Sequence, residues 1–172
     1  RGAKATLDWL GAHGIPPQML SGDSNAAVAR FAREMDIATV KGDTSATEKH
    51  NYLAQLQTEG HHVMMVGDGL NDTAALAKAH ASVAPSSALD ASRNAADVVM
   101  LSDDLEKFPL LIKIARATTK LSRQNFAIAT GYNAIAVPIA LLGYATPLIA
   151  AIAMSTSSIT VLLNAMRVKG VK

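Results

Sequence analysis

The first hundred residues alternate between two hydrophobic rhythms. Short apolar or β-branched runs at Gln18 to Leu20, Ala38 to Val40, Val63 to Val66, Ala81 to Ala84 and Val98 to Leu101 read as strands. Between them, Asn25 to Met35, Thr47 to Thr58, Asp72 to Ala79 and Leu89 to Asn94 read as helices, and the opening RGAKATLDWLGAHG reads as an amphipathic helix closed by Gly14. Strands alternating with helices predict a parallel α/β sheet, because parallel neighbours need a crossover element between them. From Asp103 to Gln124 the pattern becomes one long helix, with Leu105, Phe108, Leu111, Ile112, Ala115 and Thr119 along one stripe.

Beyond it the rhythm disappears. Phe126 to Met166 is a run of 41 residues without Asp, Glu, Lys, Arg or His, about twice the ~20 that carry a helix across a ~30 Å hydrocarbon layer. Gly143 and Pro147 punctuate it, so the expectation is a two-helix transmembrane hairpin, 126–142 and 146–166. Arg116, Lys120 and Arg123 precede the pair and Arg167, Lys169 and Lys172 follow it. This flanking places both ends in the cytoplasm and the Gly143 turn outside.

Charge sharpens that division. All 14 acidic residues lie at or before Glu106 with 8 of the 16 basic ones, a net of −6, whereas 107–172 carries +8. Such a chain is neither purely soluble nor disordered. The sequence pI near 9 is no argument for nucleic acid, because the cations flank the apolar run. Zero Cys excludes disulfides, thiolate metal sites and a cysteine nucleophile in these residues. The five histidines show no ligand spacing and read as surface or capping residues. The chain opens at Arg1 already in a helical pattern, so we expect a fragment with its N-terminal part elsewhere. The boundaries expected are a sheet domain over 1–104, a connecting helix over 105–125, the two spans and a cytoplasmic tail over 167–172.

Two strand ends carry candidate chemistry. Gly67-Asp68-Gly69-Leu70-Asn71-Asp72 lies between a strand and a helix. Carboxylates at the carboxyl end of a parallel strand, with glycines allowing close backbone approach, suit Mg²⁺ and a phosphate; the alternative is a turn that caps a helix. At Ser21-Gly22-Asp23-Ser24 a hydroxyl and backbone N–H groups face the N-terminus of the next helix, an arrangement that serves a phosphoryl oxygen or simply a cap. Lys49 is an ammonium able to neutralise phosphoryl charge, or a surface lysine. In the apolar run Met154, a soft thioether, lies among Tyr132, Asn133, Ser155, Ser157 and Ser158; the alternative is that Met fills a gap and Ser or Thr lets helices approach closely.

These elements in this order resemble the haloacid-dehalogenase-like (Rossmannoid) catalytic domain, and Gly67 to Asp72 with Ala75-Leu76 resembles the hinge signature of P-type ATPases. Gly131-Tyr132-Asn133-Ala134 and Ala153 to Arg167 resemble the last two membrane helices of the heavy-metal subfamily, particularly its copper pumps. The wording from Asn125 to Asn133, and Ala84-Pro85-Ser86-Ser87 after the fourth strand, resemble the FixI/CcoI group, which serves assembly of cbb-type oxidases. The resemblance covers essentially the whole chain as the C-terminal part of a pump.

By position, it implies Asp68 as Mg²⁺ ligand with Asp72 in support and Asn71 and Gly69 in the same loop. It implies Ser21, Gly22 and Asp23 with Gly67 on the phosphate side, and Lys49 as neutralising cation. Met154, Ser155, Tyr132 and Asn133 are implied as contacts of a transported Cu⁺ or Ag⁺. ATP is the implied substrate; the implied partners are lipid of a bacterial inner membrane, the metal ion, the remainder of the pump and a copper chaperone, without nucleic acid. Departures are Ser21, Ser24, Ala74 and Ala46, where the family usually has Thr, Asn, Pro and Pro; Ser21 keeps the hydroxyl. The Asp-Lys-Thr-Gly-Thr acceptor motif and the Cys-Pro-Cys motif do not occur, so these residues alone would hydrolyse no ATP. The competing readings are a membrane-anchored phosphatase of the same superfamily, which needs no polar stripe in its span, and a non-catalytic product that binds metal or a partner.

Overall fold

In the computed structural model, which describes residues 2–171, contacts divide the chain into two units, Arg1–Glu106 and Lys107–Lys172. The first is an α/β unit. It begins with α1 (Ala3–Ala12), followed by β1 (Gln18–Leu20), α2 (Asn25–Met35), β2 (Thr39–Lys41), α3 (Ala46–Thr58) and β3 (Met64–Val66). A 3-10 turn (Leu70–Asp72) then leads into α4 (Thr73–Lys78), β4 (Ala81–Ala84), α5 (Asp90–Ala95) and β5 (Val98–Val99).

Local chemistry explains the helix boundaries. Ser24 caps α2 by accepting from Ala27 N–H, and α2 ends at Asp36 in the left-handed region (φ 58°). Ser45 and Glu48 form a reciprocal capping box on α3, satisfying donors that a helix start leaves unpaired. Leu10, Val28, Ala32, Leu53, Ala75, Leu76, Val83 and Ala84 make the core. Ser82 reaches from β4 to Asp97: its N–H and hydroxyl donate to Asp97 Oδ2, each at 2.8 Å, and Asp97 N–H donates back to Ser82 Oγ at 3.0 Å.

The strands are parallel, as expected, but they form two sheets rather than one. β1 pairs with β2 (Gln18 opposite Thr39), and β3, β4 and β5 form a second sheet in that order (Met64 opposite Ala81, Val83 opposite Val98). Among the described residues no ladder joins β1 to β3, so each presents an unpaired main-chain edge.

The second unit is helical. The connecting helix and the first expected span are one helix: α6 runs unbroken from Phe108 to Leu141, 34 residues or about 51 Å. It ends in a Schellman motif, in which Gly143 at φ 82° lets Tyr144 N–H reach Ile139 O at 3.2 Å and Gly143 N–H reach Ala140 O at 3.0 Å. Thr146 then caps α7 (Pro147–Met166) by accepting from Ile149 N–H. At the other end of the pair Asn164 Nδ2 donates to Asn125 Oδ1 at 2.9 Å.

Only α7 meets the length and hydropathy needed for a membrane crossing among the described residues, through Pro147–Gly170 with mean hydropathy 1.7. The helix α6 falls short because its apolar half is continuous with the cationic half and is diluted by Thr130, Gly131, Tyr132 and Asn133. The helices α6 and α7 pack against each other, and of the two spans expected only α7 has the character of a span among the described residues.

Candidate functional site

In the α/β unit the loop after β3 is held by neighbours that the sequence pattern did not single out. Gly67 N–H donates to Val83 O on β4 at 3.2 Å, Leu89 N–H donates to Asp68 O at 3.1 Å, and the buried Ser92 hydroxyl donates to Gly69 O at 2.6 Å. A Cβ at Gly67 would stand 2.7 Å from Asp72 Cβ, so only glycine lets the Asp72 side chain close over the loop.

Lys49 and Asp72, 23 residues apart, meet inside the unit. Lys49 Nζ donates to Asp72 Oδ1 at 2.7 Å, both side chains are about nine-tenths buried, and Asp72 Oδ2 accepts from Gly69 N–H at 3.4 Å. Lys49 therefore departs from the surface-lysine alternative. It is held in place by α3, whose first turn is fixed by the capping box. Hydrogen bonds from the Ser45 hydroxyl, and then from its N–H, hold the Glu48 carboxyl below the usual carboxylate range.

Asp68 and Asn71 behave differently. Both are exposed, and neither side chain makes a hydrogen bond among the described residues. With the Asp72 oxygens engaged by Lys49 and Gly69, the carboxylate with oxygens to spare is Asp68. No group of three or more His, Asp or Glu converges on a metal-sized site among the described residues.

The loop after β1 forms a second cluster. Ser21 Oγ donates to Asp23 Oδ2 and accepts from Asp23 N–H, each at 3.2 Å, so the hydroxyl turns back on its own loop. Ser21 O accepts from Thr44 N–H at 2.9 Å. Sequence reasoning missed Asp43, which closes this loop from β2: its carboxylate accepts from Asn25 N–H at 3.0 Å and from Asn25 Nδ2 at 2.6 Å, while Asn25 Oδ1 accepts from Gly42 N–H. The available signal was Gly42-Asp43 itself, a further Gly-Asp pair just beyond a strand.

In the helical unit α6 and α7 enclose a cleft of about 560 Å³. Tyr132 and Asn133 line it from α6, and Met154, Ser157 and Ser158 from α7. Met154 is 72% exposed. Ser155 is not among the lining residues, being one position, about 100°, further round α7.

The comparisons with known proteins follow this division. A family model described as haloacid dehalogenase-like hydrolase matches residues 1–80, which agrees with parallel strands whose carboxylates sit at strand ends. The likeness continues through the helices. The chain is 48% identical over 169 residues to nitrogen fixation protein FixI of Rhizobium leguminosarum bv. viciae, covering 98% of this chain and 22% of that protein. It is 40% identical over 167 residues to a copper-exporting P-type ATPase of Staphylococcus aureus, covering 97% and 21%. A zinc-transporting PIB-type ATPase in the E2.Pi state superimposes with a TM-score of 0.89 at 30% identity, over 97% of this chain and 27% of that one.

The fold is thus that of a haloacid dehalogenase-like α/β domain followed by a helical pair. Over nearly its whole length the chain is similar to heavy-metal P-type ATPases, and it spans about a fifth of the length of the curated relatives it matches.

Proposed function

We propose that the chain is the C-terminal portion of an ATP-driven heavy-metal pump that exports Cu⁺ across a bacterial cytoplasmic membrane, supplying copper for oxidase assembly. The observation that carries this reading is that one match, at 48% identity over 98% of the chain, runs through both the phosphate-type loops and the cleft holding Met154.

In this reading Asp68 holds Mg²⁺, which supplies charge to the transferring phosphoryl group. Lys49 neutralises phosphoryl charge, and Asp72 fixes the ammonium in position. Ser21, Gly22 and Asp23 present the hydroxyl and N–H groups of the phosphate-side loop, with Gly67, Gly69 and Asn71 opposite. The acceptor aspartate comes from another part of the protein, and the unpaired edges of β1 and β3 suit a strand that carries it. In the membrane Tyr132, Asn133 and Met154 contact Cu⁺ or Ag⁺ in the cleft, with Ser155 at its margin; a thioether favours these soft ions over Zn²⁺. Both spans are embedded, with the α/β unit and the C-terminus cytoplasmic, where a copper chaperone delivers the ion.

The test uses the complete protein in proteoliposomes. Cu⁺ should stimulate ATP hydrolysis with a hydroxylamine-labile acyl phosphate. Stimulation by Zn²⁺ alone would move the reading to zinc pumps, and hydrolysis of small phosphate esters with no metal-stimulated ATP hydrolysis would leave the phosphatase. In intact cells an impermeant thiol label should reach a Cys placed at Gly143 and not one at Lys169; equal labelling would refute the hairpin.

A further inference from the structure

At the carboxyl end of the three-stranded sheet each loop is tied to the next. Leu89 N–H, from the segment after β4, donates to Asp68 O at 3.1 Å and so holds the main chain of the residue whose carboxylate is free. That segment begins with Pro85-Ser86-Ser87 and folds as a turn closed by Ala88 N–H to Pro85 O at 3.2 Å, with Ala88 buried. Asp103, four residues after β5, grips the turn from its other side. Its Oδ1 accepts from the Ser86 hydroxyl at 2.8 Å and from Ser87 N–H at 2.9 Å. Met100 N–H, donating to Ala84 O at 2.8 Å, keeps the same two segments side by side. The adjacent Asp104 is used differently, since its Oδ1 accepts from Glu106 N–H at 3.2 Å within its own turn. The Ser87 N–H, and then the Ser86 hydroxyl, hold the Asp103 carboxyl below the usual carboxylate range, so at neutral pH it is an anion with two donors. A second bridge joins the same strands at their amino ends, Ser82 with Asp97, and none of its hydrogen bonds reaches the turn or the Asp68 loop.

We propose that Asp103 is a positioning residue for Asp68. It fixes the Ser86–Ser87 turn, the turn fixes Leu89 N–H, and Leu89 N–H fixes the main chain from which the Asp68 carboxylate projects. The inference rests on the reading of Asp68 as the Mg²⁺ carboxylate. A small hard cation demands near-ideal geometry, so a loop that spends less time in the competent arrangement binds it more weakly in proportion to the fraction lost. The two serines thus act by carrying the grip of Asp103 across to a neighbouring loop.

The test takes two readings on variants of the complete protein: the Mg²⁺ concentration for half-maximal acyl-phosphate formation at saturating ATP, and hydrogen exchange resolved to single amides. Asp103→Ala should raise that concentration about fivefold and speed exchange at Leu89 by a similar factor. Asp103→Asn keeps an acceptor oxygen for both serines and should stay within about twofold of wild type. Ser86→Ala should shift both readings in the direction of Asp103→Ala by about twofold, and should add nothing in the Asp103→Ala background, where the hydroxyl has already lost its acceptor. Asp97→Ala, which cuts the bridge at the other end of the same strands, should destabilise the α/β unit while leaving the Mg²⁺ requirement and Leu89 exchange unchanged; a general loosening would move them in both variants. An unchanged Mg²⁺ requirement or unchanged Leu89 exchange in Asp103→Ala, or an equal shift in Asp97→Ala, would overturn the positioning role while the wild type still forms its Mg²⁺-dependent acyl phosphate. A wild type that forms none would overturn the pump reading and this inference with it.

Discussion

In the α/β unit Leu53, Leu76, Val28 and Val83 are sealed from solvent, whereas in the helical unit Leu148, Ile152, Ile159 and Leu162 stand more than half exposed, and no residue of α7 is buried. The more apolar sequence thus has the emptier interior. Polar groups follow the same contrast. In the first unit they pair across elements, as Lys49 does with Asp72 and Ser82 with Asp97, so they specify tertiary structure. In the second, apart from the Asn164–Asn125 bond between α7 and α6, Thr119, Thr156 and Thr160 donate to carbonyls one turn back on their own helix, which satisfies the hydroxyl without fixing a partner. A unit that consumes its own hydrophobic surface builds its site from internal contacts. A unit that leaves that surface open depends on lipid and on other helices to complete its own.

The sharpest way to test this contrast is to disable one unit and read the other. In the complete pump Asp68→Asn should abolish Mg²⁺-dependent turnover while leaving Cu⁺ binding unchanged, because an amide supplies no charge for a hard cation. Activity with normal Mg²⁺ dependence would remove Asp68 from the site. Lys49→Ala should slow phosphoenzyme formation by a factor of order 10². It should also destabilise the α/β unit by about 3 kcal/mol in denaturant unfolding, since it strands the buried Asp72 carboxylate. The pair Lys49→Met with Asp72→Leu should regain stability without activity; recovery of both would reduce the ion pair to packing.

Effects in the helical unit should be smaller. Met154→Leu, nearly volume-conserving, should raise the Cu⁺ concentration for half-maximal stimulation about tenfold, equivalent to ~1.4 kcal/mol, with membrane insertion unchanged. Asn133→Ala should act in the same direction. Wild-type Cu⁺ stimulation in the Met154 variant would return that side chain to gap-filling. The smallest effect concerns the capping box. The Glu48 carboxyl is held below its unfolded value, so its contribution is complete at neutral pH and is lost as pH falls through the folded value. Hydrogen-exchange protection of the Ser45 and Glu48 amides should decline there, and Glu48→Ala should remove the pH dependence.

The strand positions and the start of α7 were legible because short β-branched runs, a Thr-Pro start and Gly143 each act locally. The two-sheet arrangement was not, since whether β1 pairs with β3 depends on main-chain partners that no periodicity records. The unbroken α6 was hidden for a related reason: the change from charged to apolar residues at Phe126 marks a change of surroundings, and the backbone has no cause to stop there. In the site, Asp68, Asp72 and Lys49 stood out by residue type and position. The pairing of Lys49 with Asp72 did not, because that contact joins residues 23 apart. Ser92 and Asp43 escaped notice since their role is to hold backbone from a neighbouring element.

The continuity of α6 also sets how displacement travels. From Phe108 to Asn133 there are 25 residue steps, about 38 Å of hydrogen-bonded rod, and its interior proline, Pro138, lies beyond Asn133. A torque applied near Phe108 reaches Tyr132 and Asn133 with its angle preserved, whereas a jointed linker would spend it at the joint. Were α6 to roll as one rod, Tyr132 and Asn133 would move with it relative to Met154, so a rotation near Phe108 would register in the cleft.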